Sequence, residues 1–137
     1  MSGGGVDAAL ADTSVFIARE SGRPIGELPP LIAVSVVTIG ELRLGVLAAA
    51  DAKTRARRAS TLALARATDP LPISEAVFET WARVVHACRQ AGTGGSVKVT
   101  DALIAATAIE HGLPVVSQDA DFARIADAVE ELPVIAV

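Results

Sequence analysis

Five acidic side chains stand where an isolated charge is hard to place. Asp12 ends an apolar run, Glu41 lies inside one, Asp101 opens another, and Asp119 and Asp121 follow a fourth. Carboxylates gathered at one point repel each other and raise one another's pKa values. A divalent cation removes that conflict. Mg²⁺ or Mn²⁺ suits an all-oxygen set best, with waters or substrate phosphate completing the shell. An ion held this way activates water and stabilises the leaving oxygen of a phosphodiester, which needs no nucleophilic side chain. Zinc fits poorly, because His86 and His111 fall on different predicted helices and Cys88 is the one cysteine. There is no Ser-His-Asp arrangement. The Gly92-Thr93-Gly94-Gly95-Ser96 run lacks the spacing of a phosphate-binding loop.

Taken singly, most of these acids have a plain structural explanation. An Asp after a strand commonly caps the next helix, and an Asp in a first helical turn is favoured by the macrodipole. Glu41 is harder to explain. Val37, Glu41, Leu44 and Ala48 recur at helical spacing, which predicts a carboxylate on a buried stripe. A buried charge must be paired or bound to a cation, and Arg43 points elsewhere on the same helix.

The elements that position these acids alternate in type. Short apolar runs predict strands at 8–11, 31–34, 71–73, 113–117 and 133–137. Helices are expected from Thr13 to about Glu20, after a Ser35 cap to about Ala50, after Asp51 to about Thr68, after a Ser74 cap to about Ala91, after a Thr100 cap to about His111, and over 121–127. Gly112 and Pro114 close the fifth of these helices. Strands alternating with helices imply a parallel sheet covered on both faces, with ligands bound beyond the carboxyl ends of its strands. Asp12 and Asp119 each follow a strand at that end.

Composition agrees with one α/β domain over residues 1–137. Half of the 137 residues are hydrophobic (51%), mostly small aliphatic ones, with three Phe, one Trp and no Tyr. Residues 1–6 read as a flexible arm. No uncharged apolar run reaches the roughly 18 residues of a membrane span. A lone cysteine allows no internal disulfide, which points to a reducing cytoplasm, with secretion as the alternative. The net charge of −4 argues against coating nucleic acid by bulk electrostatics. Lys53, Arg55, Arg57, Arg58 and Arg66 nevertheless form a basic stripe on one predicted helix, either a phosphate attractor or a solvated face.

The segments LADTSVFIA (10–18), SVVTIGELRLGV (35–46), TDALIAATAIEHGLPVVSQDADF (100–122) and the closing PVIAV resemble, in order and spacing, the PIN-domain ribonucleases of the VapC toxin type. The resemblance implies a three-layer α/β/α domain with a central parallel sheet of about five short strands. It implies a toxin that cleaves RNA as a Mg²⁺- or Mn²⁺-dependent endoribonuclease and is restrained by a cognate VapB-like antitoxin, as a homodimer or a toxin–antitoxin hetero-oligomer. Asp12, Glu41 and Asp101 match three of the family's metal-site acids. Asp119, Asp121 or both complete the set, with Asp119 expected at the first ion and Asp121 capping a helix or serving a second ion. Thr13, Ser14 and Ser117 are either supports for these acids or helix caps. Arg43 is either a contact for RNA or antitoxin or a surface arginine.

Two other classes compete. A catalytically inactive PIN-fold binding module should have lost its acids, whereas this chain keeps them. A Mg²⁺-dependent phosphoacceptor or phosphatase domain would need a Lys after the last strand or an acid at position 14, which is Ser14.

Overall fold

The computed structural model describes residues 6–137. The expected N-terminal arm therefore lies outside the described residues, apart from Val6, which is exposed. The chain runs β1 (Ala8–Ala11), α1 (Thr13–Glu20), β2 (Leu31–Ala33), α2 (Val36–Ala48), α3 (Ala52–Arg66), α4 (Glu75–Gln90), α5 (Val99–Glu110), β3 (Val115–Ser117), α6 (Asp121–Ala128) and β4 (Val134–Ala136). A 3-10 turn at Gly94–Ser96 precedes α5.

The four strands form one parallel sheet in the order β2-β1-β3-β4. Among the described residues the sheet has one strand fewer than expected. Residues 71–73 contribute only a single bridge, Ser35 to Leu71. Leu71 donates its N–H to Val34 O at 2.8 Å and accepts from Val36 N–H at 3.0 Å. The ladder stops there because Val36 already begins α2 and Asp69, at φ 59°, turns the chain just before the bridge.

Alternation along the strands divides the core into two layers. Leu10 and Val115 face a cluster with Val84, Ile104, Phe122 and Ile125 from α4, α5 and α6. Ala9, Ala11 and Val116 face Val15, Phe16, Leu42, Val46 and Leu62 from α1, α2 and α3. Burial on both faces explains why the strands are apolar throughout. The result is the expected three-layer α/β/α arrangement.

Helix termini explain where the acids fall. Ser35, Asp51 and Ser74 cap α2, α3 and α4 by accepting from Val37, Thr54 and Val77 N–H. The expected Thr100 cap is not formed. Helix α5 begins at Val99, and Lys98 at its cap position makes no side-chain bond, which leaves Asp101 in the first turn. Gly112, at φ 64°, ends the same helix in the left-handed region that glycine adopts without strain. The basic stripe on α3 is partly engaged. Arg58 donates to Gly45 O at 2.7 Å and Arg55 to Ala49 O at 3.1 Å, satisfying carbonyls near the end of α2.

Candidate active site

In this strand order β1 lies between β2 and β3, so the chain leaves β1 in one direction and arrives at β3 from the other. Such a switch point opens a crevice at the carboxyl ends of the two strands. Asp12 stands directly after β1, and Ser117 and Asp119 lie at the end of β3.

Asp12 is only 3% exposed. Its main-chain N–H donates to Val116 O at 3.1 Å, continuing the ladder. Ser14 Oγ donates to Asp12 Oδ1 at 2.6 Å and Ser117 Oγ to Oδ2 at 3.0 Å. These bonds favour the carboxylate, but burial outweighs them. Desolvation, with a contribution from the Asp119 charge, pushes Asp12 up to about 6.

Asp101 is also pushed up to about 6, first by desolvation and further by the charges of Asp121, Asp12 and Glu41, while Lys98 pulls the other way. Its Oδ2 is buried and has no hydrogen-bond partner among the described residues. An orphaned carboxylate oxygen in a field of other acids is a strong anomaly, since buried acceptors are almost always satisfied.

Glu41 is half-buried, and Thr13 Oγ1 donates to its Oε1 at 2.6 Å. Thr13 Oγ1 is also 3.0 Å from Thr38 Oγ1. The stripe inferred for Glu41 is not the buried one. Leu44 is 67% exposed and Ala48 is exposed, whereas Thr38, Leu42 and Val46 point inward. Helix α2 is apolar on nearly every side, and packing against α3 selects a different face. Glu41 therefore sits at the border of the buried stripe.

Asp119 is exposed, and its N–H donates to Ser117 Oγ at 2.8 Å. Asp121 lies in the first turn of α6, with Oδ1 at 3.2 Å from Arg124 Nη1. Asp121 does not cap the helix, because Ala120 occupies that position. Thr13 and Ser14 do not cap α1 either. Asp12 holds its N-cap position without a side-chain bond, and the two hydroxyls serve carboxylates instead. Arg43 is exposed and is not drawn into this set.

Two supporting residues escaped the sequence reading. Thr38 is fully buried three residues before Glu41, a spacing that places both on neighbouring positions of α2. Gln118 donates its main-chain N–H to Ser14 Oγ at 3.0 Å. Nothing in its sequence context marks it out.

All five acids thus share one electrostatic neighbourhood. Among the described residues, no three His, Cys, Asp or Glu side chains converge closely enough to ligate one ion together. The donor set fits a hard divalent cation nonetheless. It is all oxygen, it includes the unpartnered Asp101 Oδ2, and two of its members are held where ionisation is unfavourable without a positive charge.

Comparison with known proteins settles the family. The PIN domain family model matches residues 9–128. This chain belongs to the PIN-domain family. It is 62% identical over 108 residues to Ribonuclease VapC8 of Mycobacterium tuberculosis, covering 79% of this chain and 96% of that protein. Ribonuclease VapC4 of the same organism is 48% identical over 124 residues, covering 89% of this chain and 94% of that one. Among solved structures, the crystal structure of VapBC-5 from Mycobacterium tuberculosis, a member of the VapBC family of toxin–antitoxin systems, superposes with a TM-score of 0.83 at 38% identity, covering 96% of this chain and all (100%) of that chain.

Proposed function

We propose that this chain is the toxin of a toxin–antitoxin pair, an endoribonuclease that hydrolyses RNA phosphodiester bonds with a divalent metal ion, Mg²⁺ or Mn²⁺. Extensive identity to proteins named Ribonuclease VapC supports the ribonuclease reading. The observation that carries the chemistry is the buried Asp101 Oδ2, without a partner among the described residues, on a carboxyl that feels the charges of Asp121, Asp12 and Glu41.

Asp12 and Asp101 would hold the ion, with Glu41 and Asp119 as further ligands, and Asp121 would serve a second ion or its water. When bound, the ion supplies an activated water and charge neutralisation at the leaving oxygen. Ser14 and Ser117 fix the two oxygens of Asp12, and Thr13 fixes Glu41. Each hydroxyl holds a carboxylate in one orientation, as outer partners of metal ligands do. The protein partner is a VapB-like antitoxin, as the VapBC similarity supports. Helix α2 exposes Leu44 and Leu47 beside Arg43, and a recess of about 200 Å³ next to Glu41 is lined by Ile17, Leu42 and Arg58. A cytoplasmic location suits the single free, buried thiol of Cys88, and among the described residues no helix is long and apolar enough to cross a membrane.

The test is to map cleavage ends on total RNA with Mg²⁺ and with excess EDTA. New ends that require the metal are expected. Equal cleavage in EDTA would refute the metal chemistry. Among the described residues no three of the acids converge on one point, and this favours one second reading, a non-catalytic PIN module. Calorimetry decides, because such a module binds no Mn²⁺ at millimolar concentration.

A further inference from the structure

Gln118 follows Ser117 at the end of β3, and its carboxamide is committed to two main-chain oxygens. Nε2 donates to Pro24 O at 3.0 Å and to Val137 O at 2.7 Å. Both partners only accept, so the amide's two N–H groups must point at them. Pro24 belongs to the loop after α1, and Val137 follows β4. Val137 N–H donates in turn to Ser117 O at 3.1 Å. Gly26 of the same loop packs so closely that a Cβ there would lie 3.2 Å from Val137 Cα. The loop, the end of β4 and the turn after β3 therefore meet at one side chain.

That turn carries Asp119 and Asp121. It also controls Ser14. The Gln118 main-chain N–H donates to Ser14 Oγ at 3.0 Å, and the same hydroxyl donates to Asp12 Oδ1 at 2.6 Å. A hydroxyl has one proton to give. By filling a lone pair of Ser14, the amide directs that proton towards Asp12.

Resting on the metal-site reading above, we propose that Gln118 is a positioning residue for the acidic centre. It touches neither ion nor RNA. Its carboxamide clamps the β3–α6 turn to the Pro24 loop and to the end of β4, which sets Ser14 and Asp119 relative to Asp12. The outer shell of the site is thus shared among three segments distant in sequence, with Gln118 as their common member.

The experiment measures Mn²⁺ affinity without RNA, by electron paramagnetic resonance titration of the full chain, for wild type, Gln118→Ala and Gln118→Glu. Gln118→Glu keeps the size but replaces the donor with acceptors that repel both main-chain oxygens. Loss of an outer partner commonly weakens metal binding about 10–100-fold, so both variants should bind Mn²⁺ at least about 10-fold more weakly. Thr80→Ala serves as the stability control, since Thr80 Oγ1 bonds Glu110 Oε1 at 2.5 Å near the far end of α5. Its unfolding temperature should fall while its Mn²⁺ affinity stays at the wild-type value. If wild type binds Mn²⁺ and both Gln118 variants bind equally well, Gln118 has no positioning role and the metal site stands. If wild type binds no Mn²⁺ at millimolar concentration, the metal-site reading fails and takes this role with it.

Discussion

Replacing Asp12 with Asn should stabilise the metal-free protein at alkaline pH even as it removes activity. Asp12 is raised from its ordinary value of 3.8 to about 6, chiefly by desolvation. A carboxyl whose folded pKa lies above its unfolded one binds a proton more tightly when folded. The stability it contributes is complete below pH 3.8 and is lost as the pH rises through about 6. Above that window the folded state carries a buried anion, and the difference amounts to about 3 kcal/mol.

Asparagine is neutral throughout and escapes that penalty. It has one acceptor oxygen instead of two, so either the Ser14 or the Ser117 hydroxyl loses its bond, which costs about 1 kcal/mol. The variant should therefore be more stable by about 2 kcal/mol near pH 8 in EDTA, a rise of roughly 6–8 °C in Tm for a domain of this size. Near pH 4 the wild-type carboxyl is largely protonated and the advantage should vanish or reverse. Thermal and urea unfolding followed by circular dichroism across that range measures both limbs. A variant less stable than wild type near pH 8, or a gap independent of pH, would refute the burial argument. Added Mn²⁺ should raise the Tm of wild type and leave the variant unmoved.

Ser117→Ala removes the hydroxyl that donates to Asp12 Oδ2 and accepts from Asp119 N–H. RNA cleavage should fall by about 10-fold or more, with a stability loss of about 1–2 kcal/mol on chemical denaturation. The corrected face of α2 is open to a simpler check. Leu42, buried at 7%, should cost about 2–4 kcal/mol on truncation to Ala. Leu44→Ala should stay within about 0.5 kcal/mol of wild type, and the opposite ranking would restore the face inferred from the sequence.

The acid positions were legible because strand ends and helix starts are marked by abrupt changes of residue type. Asp12 after Leu10-Ala11 and Asp119 after Val116-Ser117 follow from alternation and the crossover rule alone. Helix α2 shows where such patterns fail. Its sequence is apolar around almost its whole circumference, so several stripes can be drawn through it, and only the α3 contact selects the one through Leu42. The lost strand at Leu71 has a different cause. A run of apolar residues suggests a ladder, but its partner segment turns into α2 at Val36 and its own chain turns at Asp69, so a single bridge forms. Gln118 was invisible because its partners are main-chain oxygens of residues brought close only by the sheet order.

If these carboxylates hold the ion on which RNA cleavage depends, removing one of their charges must abolish Mn²⁺-dependent cleavage, and comparing wild type with folded Asp101→Asn under single-turnover conditions measures that loss. Asp101 Oδ2 has no partner to lose among the described residues, so the substitution leaves the fold intact and removes a charge from the acidic centre. Cleavage should fall by more than about 100-fold in the variant, with unfolding behaviour at least as stable as wild type. Cleavage at the wild-type rate by Asp101→Asn would contradict the account.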